Sequence, residues 1–211
     1  MVKRYVFCIP LTLIVLLLLT FPTQALLDTF QNTKFSDNWE ITYTYGVGTA
    51  YIDTYPTDDN YCLYIQGADN AYQGEVKVRN KEGENMNYFA FTLLGKVYQD
   101  LANCNFYIKF YNESGGYLAS TGDLDTKPIG KWELVKSGSS VALYIDGEYQ
   151  GSVASVSEDI YFVEFHIKGP WQLGIWIDDV TNYASHMIET IPHNWRIERN
   201  LDNPSASGVY N

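Results

Sequence analysis

Short alternations of hydrophobic and polar residues fill the chain from residue 39 to residue 180. The apolar positions are rich in Tyr, Phe, Val, Ile and Thr, and Gly, Asn, Asp and Ser separate one alternation from the next. Successive side chains of a strand point to opposite faces, so this period of two predicts β-strands. The predicted strands are 39–46, 49–55, 61–67, 75–80, 87–95, 104–111, 116–121, 131–137, 140–146, 148–154, 160–167 and 173–180. No stretch has helical periodicity, and the pattern therefore predicts an all-β sandwich or barrel.

The two ends of the chain depart from the strand pattern. A short basic start precedes the apolar run Ile9–Phe21, and the small residue Ala25 ends the segment, which is typical of a secretory signal peptide cleaved after Ala25. An uncleaved N-terminal anchor is the alternative, although the run is shorter than the roughly 20 residues that span a bilayer. The expected organisation is a signal peptide at 1–25, one β-sandwich domain at 26–185 and a tail or linker at 186–211. A secreted or cell-surface location follows from this interpretation.

The charge balance narrows the choice of partners. The chain has 14 basic and 25 acidic residues, a net charge of −11. Removal of residues 1–25 takes away two basic residues and no acid, which leaves 12 basic against 25 acidic residues and a net charge of −13. Such a chain is a poor candidate for binding nucleic acid or an anionic membrane surface. No later segment is apolar enough to cross a membrane, so we expect no membrane span in the mature chain.

Two cysteines remain after the predicted cleavage. Cys8 would leave with the signal peptide, and Cys62 and Cys104 would stay in the exported chain. An even cysteine pair in an exported protein predicts a disulfide bond between Cys62 and Cys104. Two buried thiols are the alternative, since the sequence does not show that the pair is within reach.

The stretch LGIWIDDVTN, residues 173–182, ends an apolar run in two adjacent aspartates. On a regular strand, Ile175, Ile177 and Asp179 share one face and Asp178 lies on the other. If the isoleucines face the core, Asp179 points inward at the rim of the core and Asp178 points outward. A buried carboxylate is costly without a partner, so we expect Asp179 to have one.

Three separated segments, taken in order, resemble the concanavalin A-like jelly-roll superfamily, which includes laminin G-like, lectin and carbohydrate-binding domains. Asp28–Glu40 resembles the usual first strand and the Trp that follows it. Lys131–Val153 resembles a hairpin in which a Trp on a strand precedes an Asp-Gly turn, and Ile175–Asn182 resembles the closing strand. The resemblance implies an antiparallel β-sandwich of jelly-roll type. This architecture serves hydrolases, lectins and spacers alike, so it does not by itself imply a function.

The resemblance also implies a partner for the aspartates. In such modules the first and last strands lie side by side, and some members hold a structural calcium ion there. Asp28 matches the first segment, and Asp178 and Asp179 match the last, so the resemblance implies calcium ligands at these three residues. Calcium prefers several hard oxygen ligands, including carboxylates. The alternative is that Asp179 accepts hydrogen bonds from backbone N–H groups or pairs with a lysine.

The chain lacks the carboxylate pattern that hydrolases of the superfamily carry. Hydrolases of the superfamily carry two or three carboxylates within one strand, on one face and a few Å apart. Here Glu158 and Glu164 share a face in the sequence pattern, but they lie roughly 20 Å apart along an extended strand. His166, His186 and His193 come late in the chain without a nucleophile motif. We therefore expect no enzymatic activity.

A polar and aromatic face predicts a binding surface instead. If the more aliphatic side of each strand faces the core, the opposite sides present rings interleaved with hydrogen-bonding groups, a composition that suits sugars. The predicted binding residues are Tyr64, Gln66, Tyr107, Lys109, Tyr111, Tyr144, Glu164 and His166, with Trp171 from a loop. The alternative is an ordinary antiparallel sheet with one face in water.

Three function hypotheses follow. The first is a carbohydrate-binding or adhesive module whose partner is a glycan or a cell-surface polymer, and the second is a structural spacer or assembly module of a surface protein. Glycoside hydrolysis is the third and the weakest. The sequon at Asn112 lies in a predicted turn, where glycosylation is sterically feasible if the host has the machinery.

Overall fold

The computed structural model describes residues 27–31, 34–68, 73–98, 104–169 and 173–182. The predicted signal peptide, the predicted tail and Trp171 lie outside the described residues. No helix in the described ranges is long and apolar enough to cross a membrane.

The described chain consists almost entirely of strands, as the alternating pattern predicts. One short helix, α1 (Phe35–Asn38), precedes the second strand. The strands are β1 (Leu27–Asp28), β2 (Trp39–Gly46), β3 (Thr49–Thr54), β4 (Tyr61–Ala68), β5 (Gly74–Asn80), β6 (Tyr88–Tyr98), β7 (Asn105–Tyr111), β8 (Tyr117–Ser120), β9 (Gly130–Ser137), β10 (Ser140–Ile145), β11 (Glu148–Ser155), β12 (Phe162–Gly169) and β13 (Leu173–Thr181).

Within the described residues these strands form two antiparallel sheets. Sheet A has the order β11-β10-β9-β6-β13-β4-β3, and β1 also pairs with β13. Sheet B has the order β2-β5-β12-β7-β8. Hairpins such as β9-β10-β11 and pairs of sequence-distant strands such as β1-β13 and β5-β12 occur together in these sheets, as in a jelly-roll sandwich. The predicted all-β jelly-roll fold is confirmed.

The core lies between the two sheets and is lined by alternate residues of each strand. In β7, Phe106, Ile108 and Phe110 are buried and the residues between them are partly exposed. Phe165 of β12 contacts the ring of Phe91, which belongs to the opposite sheet. Full burial of one such side chain stabilises the fold by about 1.5–3 kcal/mol.

The first and last strands lie side by side, as the resemblance implies. Asp28 pairs with Val180, and Leu27 pairs with Thr181. Asp28 is 1% exposed and accepts hydrogen bonds from Phe30 N at 2.9 Å and from the Trp39 indole at 3.0 Å. It therefore ties the N-terminal segment to the core.

The expected inward orientation of Asp179 is wrong, whereas Asp178 lies on the outer side of sheet A as expected. Asp179 is exposed and has a φ of 51°, while Val180 after it is fully buried. Here β13 loses its regular register with β6, so the alternation of faces shifts by one residue. Asp tolerates this left-handed conformation better than most residues do. Asp178, not Asp179, is the buried carboxylate at 6% exposure.

The structure contains no disulfide bond between Cys62 and Cys104, which corrects that prediction. Both cysteines are buried thiols. Cys104 packs in the core between the sheets, whereas Cys62 lies on the side of β4 that faces away from Leu63 and Ile65 of that core. The two thiols are therefore on opposite sides of sheet A, and no rotation of a side chain would join them.

Candidate ligand-binding face

The predicted binding residues divide between the two outer faces of the sandwich. We call the outer face of sheet A the aromatic face and that of sheet B the charged face. The aromatic face carries Tyr64, Gln66 and Tyr144, and the charged face carries Tyr107, Lys109, Tyr111, Glu164 and His166. Since the whole core separates them, these residues cannot form one site.

Four rings form a continuous row on the aromatic face. Tyr51 of β3 pairs with Tyr64 of β4, and Tyr64 pairs with Trp176 of β13. Their ring centroids are 5.3 Å and 4.7 Å apart. Tyr55, which follows β3, stacks on Trp176 at 4.5 Å with its plane only 17° from parallel. We call Tyr51, Tyr64, Trp176 and Tyr55 the aromatic row.

Two glycines make room for this row. Gly95 of β6 pairs with Trp176, and a Cβ there would lie 2.8 Å from the ring of Tyr55. A Cβ at Gly174 would lie 2.4 Å from the Tyr64 hydroxyl. Any larger residue at either position would push a ring away from the sheet. The aromatic row therefore requires glycine at positions 95 and 174 as well as its four aromatic rings.

Hydrogen bonds fix the orientation of the two central rings. The Trp176 indole donates to Asp53 Oδ2 at 3.0 Å, and the Tyr64 hydroxyl donates to Gln66 Oε1 at 3.1 Å. Burial raises the pKa of Tyr64 to about 12, with Tyr51 and Asp53 adding to the shift. The Tyr64 hydroxyl is therefore a protonated donor at neutral pH.

The four rings differ in what they offer to a ligand. Tyr64 is 6% exposed and forms the floor of the row, whereas Tyr51 is 44% exposed. Trp176 and Tyr55 are half-buried. A ligand on this face would therefore meet Tyr51, Trp176 and Tyr55 directly and Tyr64 only through them.

A cleft of about 400 Å³ continues the row beyond Tyr55. It is lined by Tyr55, Leu94, Gly95, Lys96, Thr126, Lys127, Pro128 and Ile129. Lys96 does not point freely into it, because its ammonium donates to the carbonyls of Asp125 and Lys127. The apolar side chain of Ile129 is 54% exposed at this end of the row.

A second row of polar groups runs beside the rings. Cys62 pairs with Asp53, and burial together with the carboxylates of Asp178 and Asp53 raises the pKa of the Cys62 thiol to about 12. Burial likewise raises the pKa of Asp178, although the amide of Asp179 and the side chain of Asn60 donate to it. The thiol is thus protonated at neutral pH, a form that is a poor nucleophile.

The charged face is organised by contacts among its own side chains. Glu164 is 2% exposed and accepts hydrogen bonds from Thr42 at 2.6 Å and from Tyr111 at 2.9 Å. His166 is 6% exposed, and its Nε2 lies 2.7 Å from Glu75 Oε1. Burial lowers the pKa of His166 to about 4, and nearby Lys109 contributes to this shift. The imidazole is therefore neutral at pH 7 and donates to Glu75.

Tyr144 lies on the aromatic face but away from the aromatic row. Its strand, β10, is separated from β13 by β9 and β6. Its ring contacts Tyr149 at a centroid distance of 5.5 Å. The structure therefore joins only Tyr64 and Gln66, of the predicted set, to the row.

Among the residues implied as calcium ligands, Asp28 is engaged by hydrogen-bond donors. Asp28 Oδ1 accepts from Phe30 N, and its Oδ2 accepts from both Asn38 and Trp39. Each oxygen of Asp28 therefore has at least one donor, and Asp179 is exposed beyond the shifted register. Across the described ranges, no three His, Cys, Asp or Glu side chains converge as a metal site. The sequence left open the alternative that Asp179 accepts hydrogen bonds at the contact between the first and last strands. In the structure Asp28 accepts such hydrogen bonds.

Asn112, the predicted glycosylation site, lies in the turn between β7 and β8. Its Oδ1 accepts from Gly116 N at 2.8 Å, and its Nδ2 donates to Glu158 at 3.0 Å. The side chain is partly exposed. Glycosylation at Asn112 stays a prediction.

Sequence reasoning missed Tyr51, Tyr55 and Trp176. The alternation places Trp176 on the outer side of its strand and Tyr51 in an alternating strand, so the pattern contained a signal for both. Tyr55 ends the predicted strand 49–55 on the same face as Tyr51, so the pattern contained a signal for it too, although the observed strand ends at Thr54.

Comparisons with known proteins find similarity in fold only. No protein-family model matches the sequence, and no curated protein matches it. A sialidase structure is 13% identical with a TM-score of 0.52, and the match covers 84% of this chain and 21% of that one. The Bacillus licheniformis beta-glucanase is 9% identical with a TM-score of 0.51, over 76% of this chain and 98% of that one. The apo Crh5 transglycosylase is 8% identical with a TM-score of 0.51, and the match covers 77% of this chain and 85% of that one.

These matches set limits on what can be inferred. The chain spans about a fifth of the sialidase that it matches. At such low identity the similarity concerns the course of the backbone and not the residues of a site.

Proposed function

We propose that this protein, a jelly roll of the concanavalin A-like superfamily, is a secreted or cell-surface module that binds carbohydrate on its aromatic face. The observation that carries the proposal is the aromatic row with the cleft that continues it. Binding, without hydrolysis, is the function that we assign to this face.

The chemistry of the row supports a sugar ligand. Pyranose rings present flat C–H faces that pack on aromatic rings, while their hydroxyl groups need hydrogen-bond partners. Tyr51, Trp176 and Tyr55 supply the flat surfaces, and Asp53 lies next to Trp176 as an acceptor. The rings are held by glycines and hydrogen bonds before any ligand arrives, which lowers the entropic cost of binding.

The similar folds are consistent with this ligand class. By their names, the beta-glucanase, the sialidase and the transglycosylase act on carbohydrate. This support is an analogy of fold, because function resides in the site and not in the architecture. The proposal therefore depends on the row and not on the neighbours.

The two acidic groups beside the aromatic row favour binding over hydrolysis. Asp53 accepts from the Trp176 indole, and Asp178 is buried beneath Asn60 and the chain at Asp179. A glycosidase needs two carboxyl groups on either side of an accessible scissile bond. The proposal includes neither such a pair nor calcium at Asp28.

Retention on a panel of insoluble polysaccharides tests this function. Tyr51→Ala should weaken binding about 5- to 10-fold, since a ring contact contributes about 1 kcal/mol beyond its area. Tyr117→Ala is the matched control, because Tyr117 is an exposed ring, 60% accessible, on sheet B. Equal losses in both variants would refute the assignment, and release of reducing sugar would show hydrolysis. If the wild type is retained on none of the polysaccharides, the carbohydrate-binding proposal is refuted and the structural-spacer hypothesis remains.

A further inference from the structure

The four edge strands of the sandwich differ in how well they are protected from pairing with another chain. An exposed edge offers unpaired backbone groups, and proteins blunt such edges with short strands, charges or bulges. In sheet B, β8 has only four residues. In sheet A, β11 starts at Glu148 and has two register shifts against β10, and β3 carries Asp53. These three edges are protected.

The fourth edge, β2, has little protection. Its six residues from Ile41 to Gly46 are all exposed and uncharged, and they are rich in aromatic and β-branched side chains. Ile41, Tyr43 and Tyr45 are 40%, 43% and 58% exposed. One bulge, at Thr42, interrupts its pairing with β5, but the register from Tyr43 to Gly46 is regular. Within the described residues no strand pairs with its outer side.

The β2 edge is complementary to itself. In an antiparallel pair of two β2 strands centred on Thr44, Tyr43 of each copy lies opposite Tyr45 of the other. These rings share the outer side of sheet B, because Tyr43 pairs with Lys77 and Tyr45 with Glu75, on either side of the core residue Val76. Cross-strand aromatic pairs each contribute roughly 0.2–1 kcal/mol.

Local charge also permits a second copy to approach here. The whole chain has a net charge of −11, which opposes self-association in general. At β2, however, Glu40 pairs with Arg79 at 2.7 Å, and Lys77 lies 3.3 Å from Glu75 and 4.2 Å from the ring centre of Tyr43. The acidic groups nearest this edge are thus neutralised within each copy.

We propose that β2 is a homodimer interface, at which two copies pair antiparallel and join their five-stranded sheets into one continuous sheet. The partner is a second copy of this chain, related by a two-fold axis that passes near Thr44. Such an isologous contact closes on itself and does not lead to a fibre.

Pairing at β2 also affects the aromatic face. A short turn joins β2 to β3, so the outer edges of both sheets lie on the same side of the sandwich. Tyr51, the exposed end of the aromatic row, is on β3. The dimer would bring the two rows to one seam, and a polymeric glycan could then occupy both rows, with a gain in avidity. This consequence rests on the proposed function, whereas the dimer does not.

Sedimentation equilibrium of the purified protein tests the interface. The wild type should have twice the mass of the chain, and Tyr45→Glu should halve that mass because it places two like charges in the seam. Tyr149→Glu is the matched control, since Tyr149 is 63% exposed on the edge strand β11, and it should stay dimeric. Unchanged circular dichroism would show that both variants fold.

Each other outcome overturns the interface. A monomeric wild type would show that β2 does not pair with itself. A dimeric Tyr45→Glu variant would place the contact elsewhere, and dissociation of both variants would indicate a general charge effect. Because mass is measured without glycan, a failure of the proposed carbohydrate binding would not alter these results.

Discussion

The two outer faces of the sandwich come from the same kind of strand and differ in what their side chains contact. On the charged face, Glu164 and His166 are buried in contacts with Thr42, Tyr111 and Glu75. On the aromatic face, the rings contact one another and still leave Tyr51 accessible. The charged face uses most of its polar groups in contacts with one another, although the buried His166 Nδ1 has no hydrogen-bond partner among the described residues, and the aromatic face retains flat surface for a ligand. Alternation alone therefore does not identify a binding face.

The largest effect on stability is expected from a substitution at Gly174, a glycine beneath the aromatic row. Gly174→Val should place carbon atoms within the space of Tyr64, which cannot move far because Tyr51 and Trp176 pack on it. We expect a loss of about 3 kcal/mol in the free energy of unfolding, at the upper end of the usual cost of overpacking, with loss of glycan retention. Urea unfolding and retention on the polysaccharide panel measure the two effects.

Gly122→Ala is the control for this substitution. Nothing lies within 4 Å of a Cβ at Gly122, so its stability should stay close to that of the wild type. A stable Gly174→Val variant that still binds glycan would show that the position of Tyr64 is not needed.

The next effect concerns the charged face and depends on pH. The pKa of His166 is about 4 in the folded chain, because burial disfavours its charged form, against 6.5 when unfolded. Between pH 6.5 and pH 4 the His166 imidazole is protonated in the unfolded chain and neutral in the folded chain. The free energy of unfolding should therefore decrease as the pH falls from 6.5 to 4. The expected loss from this group is about 3 kcal/mol.

Urea unfolding of the wild type and of His166→Gln at pH 7 and pH 4.5 measures this contribution. The variant lacks the titrating ring, so its stability should fall less over this interval, while Glu75, Lys77 and Lys109 stay in both proteins. Parallel pH profiles would mean that His166 accepts a proton in the folded state without cost.

The smallest effect is expected from removal of divalent cations. Asp28 is satisfied by Phe30, Asn38 and Trp39, so a chelator should not change the melting temperature. Asp28→Ala should lower the free energy of unfolding by about 1–3 kcal/mol, because it leaves buried donors without an acceptor. Differential scanning calorimetry with and without chelator provides both measurements. A lower melting temperature of the wild type in chelator would restore calcium to this junction.

Much of the fold could be predicted from the sequence. The alternation in stretches such as 105–111 and 140–145 identifies strands and their buried sides, because burial of every second side chain is a local property of a pleated strand. The resemblance of three segments indicated the jelly roll and the pairing of the first strand with the last. Both were correct, since they depend on the periodicity and order of segments.

Only the tertiary structure decided the rest. The shift of register at Asp179 left that residue exposed instead of facing the core, and the placement of Cys62 and Cys104 on opposite sides of sheet A excluded their disulfide. The contact of Tyr55 with Trp176 depends on the open space at Gly95, a residue of a strand that is distant in sequence. The sequence shows which residues alternate along a strand. The pairing between distant segments decides to which sheet that strand belongs and which residues lie opposite its side chains.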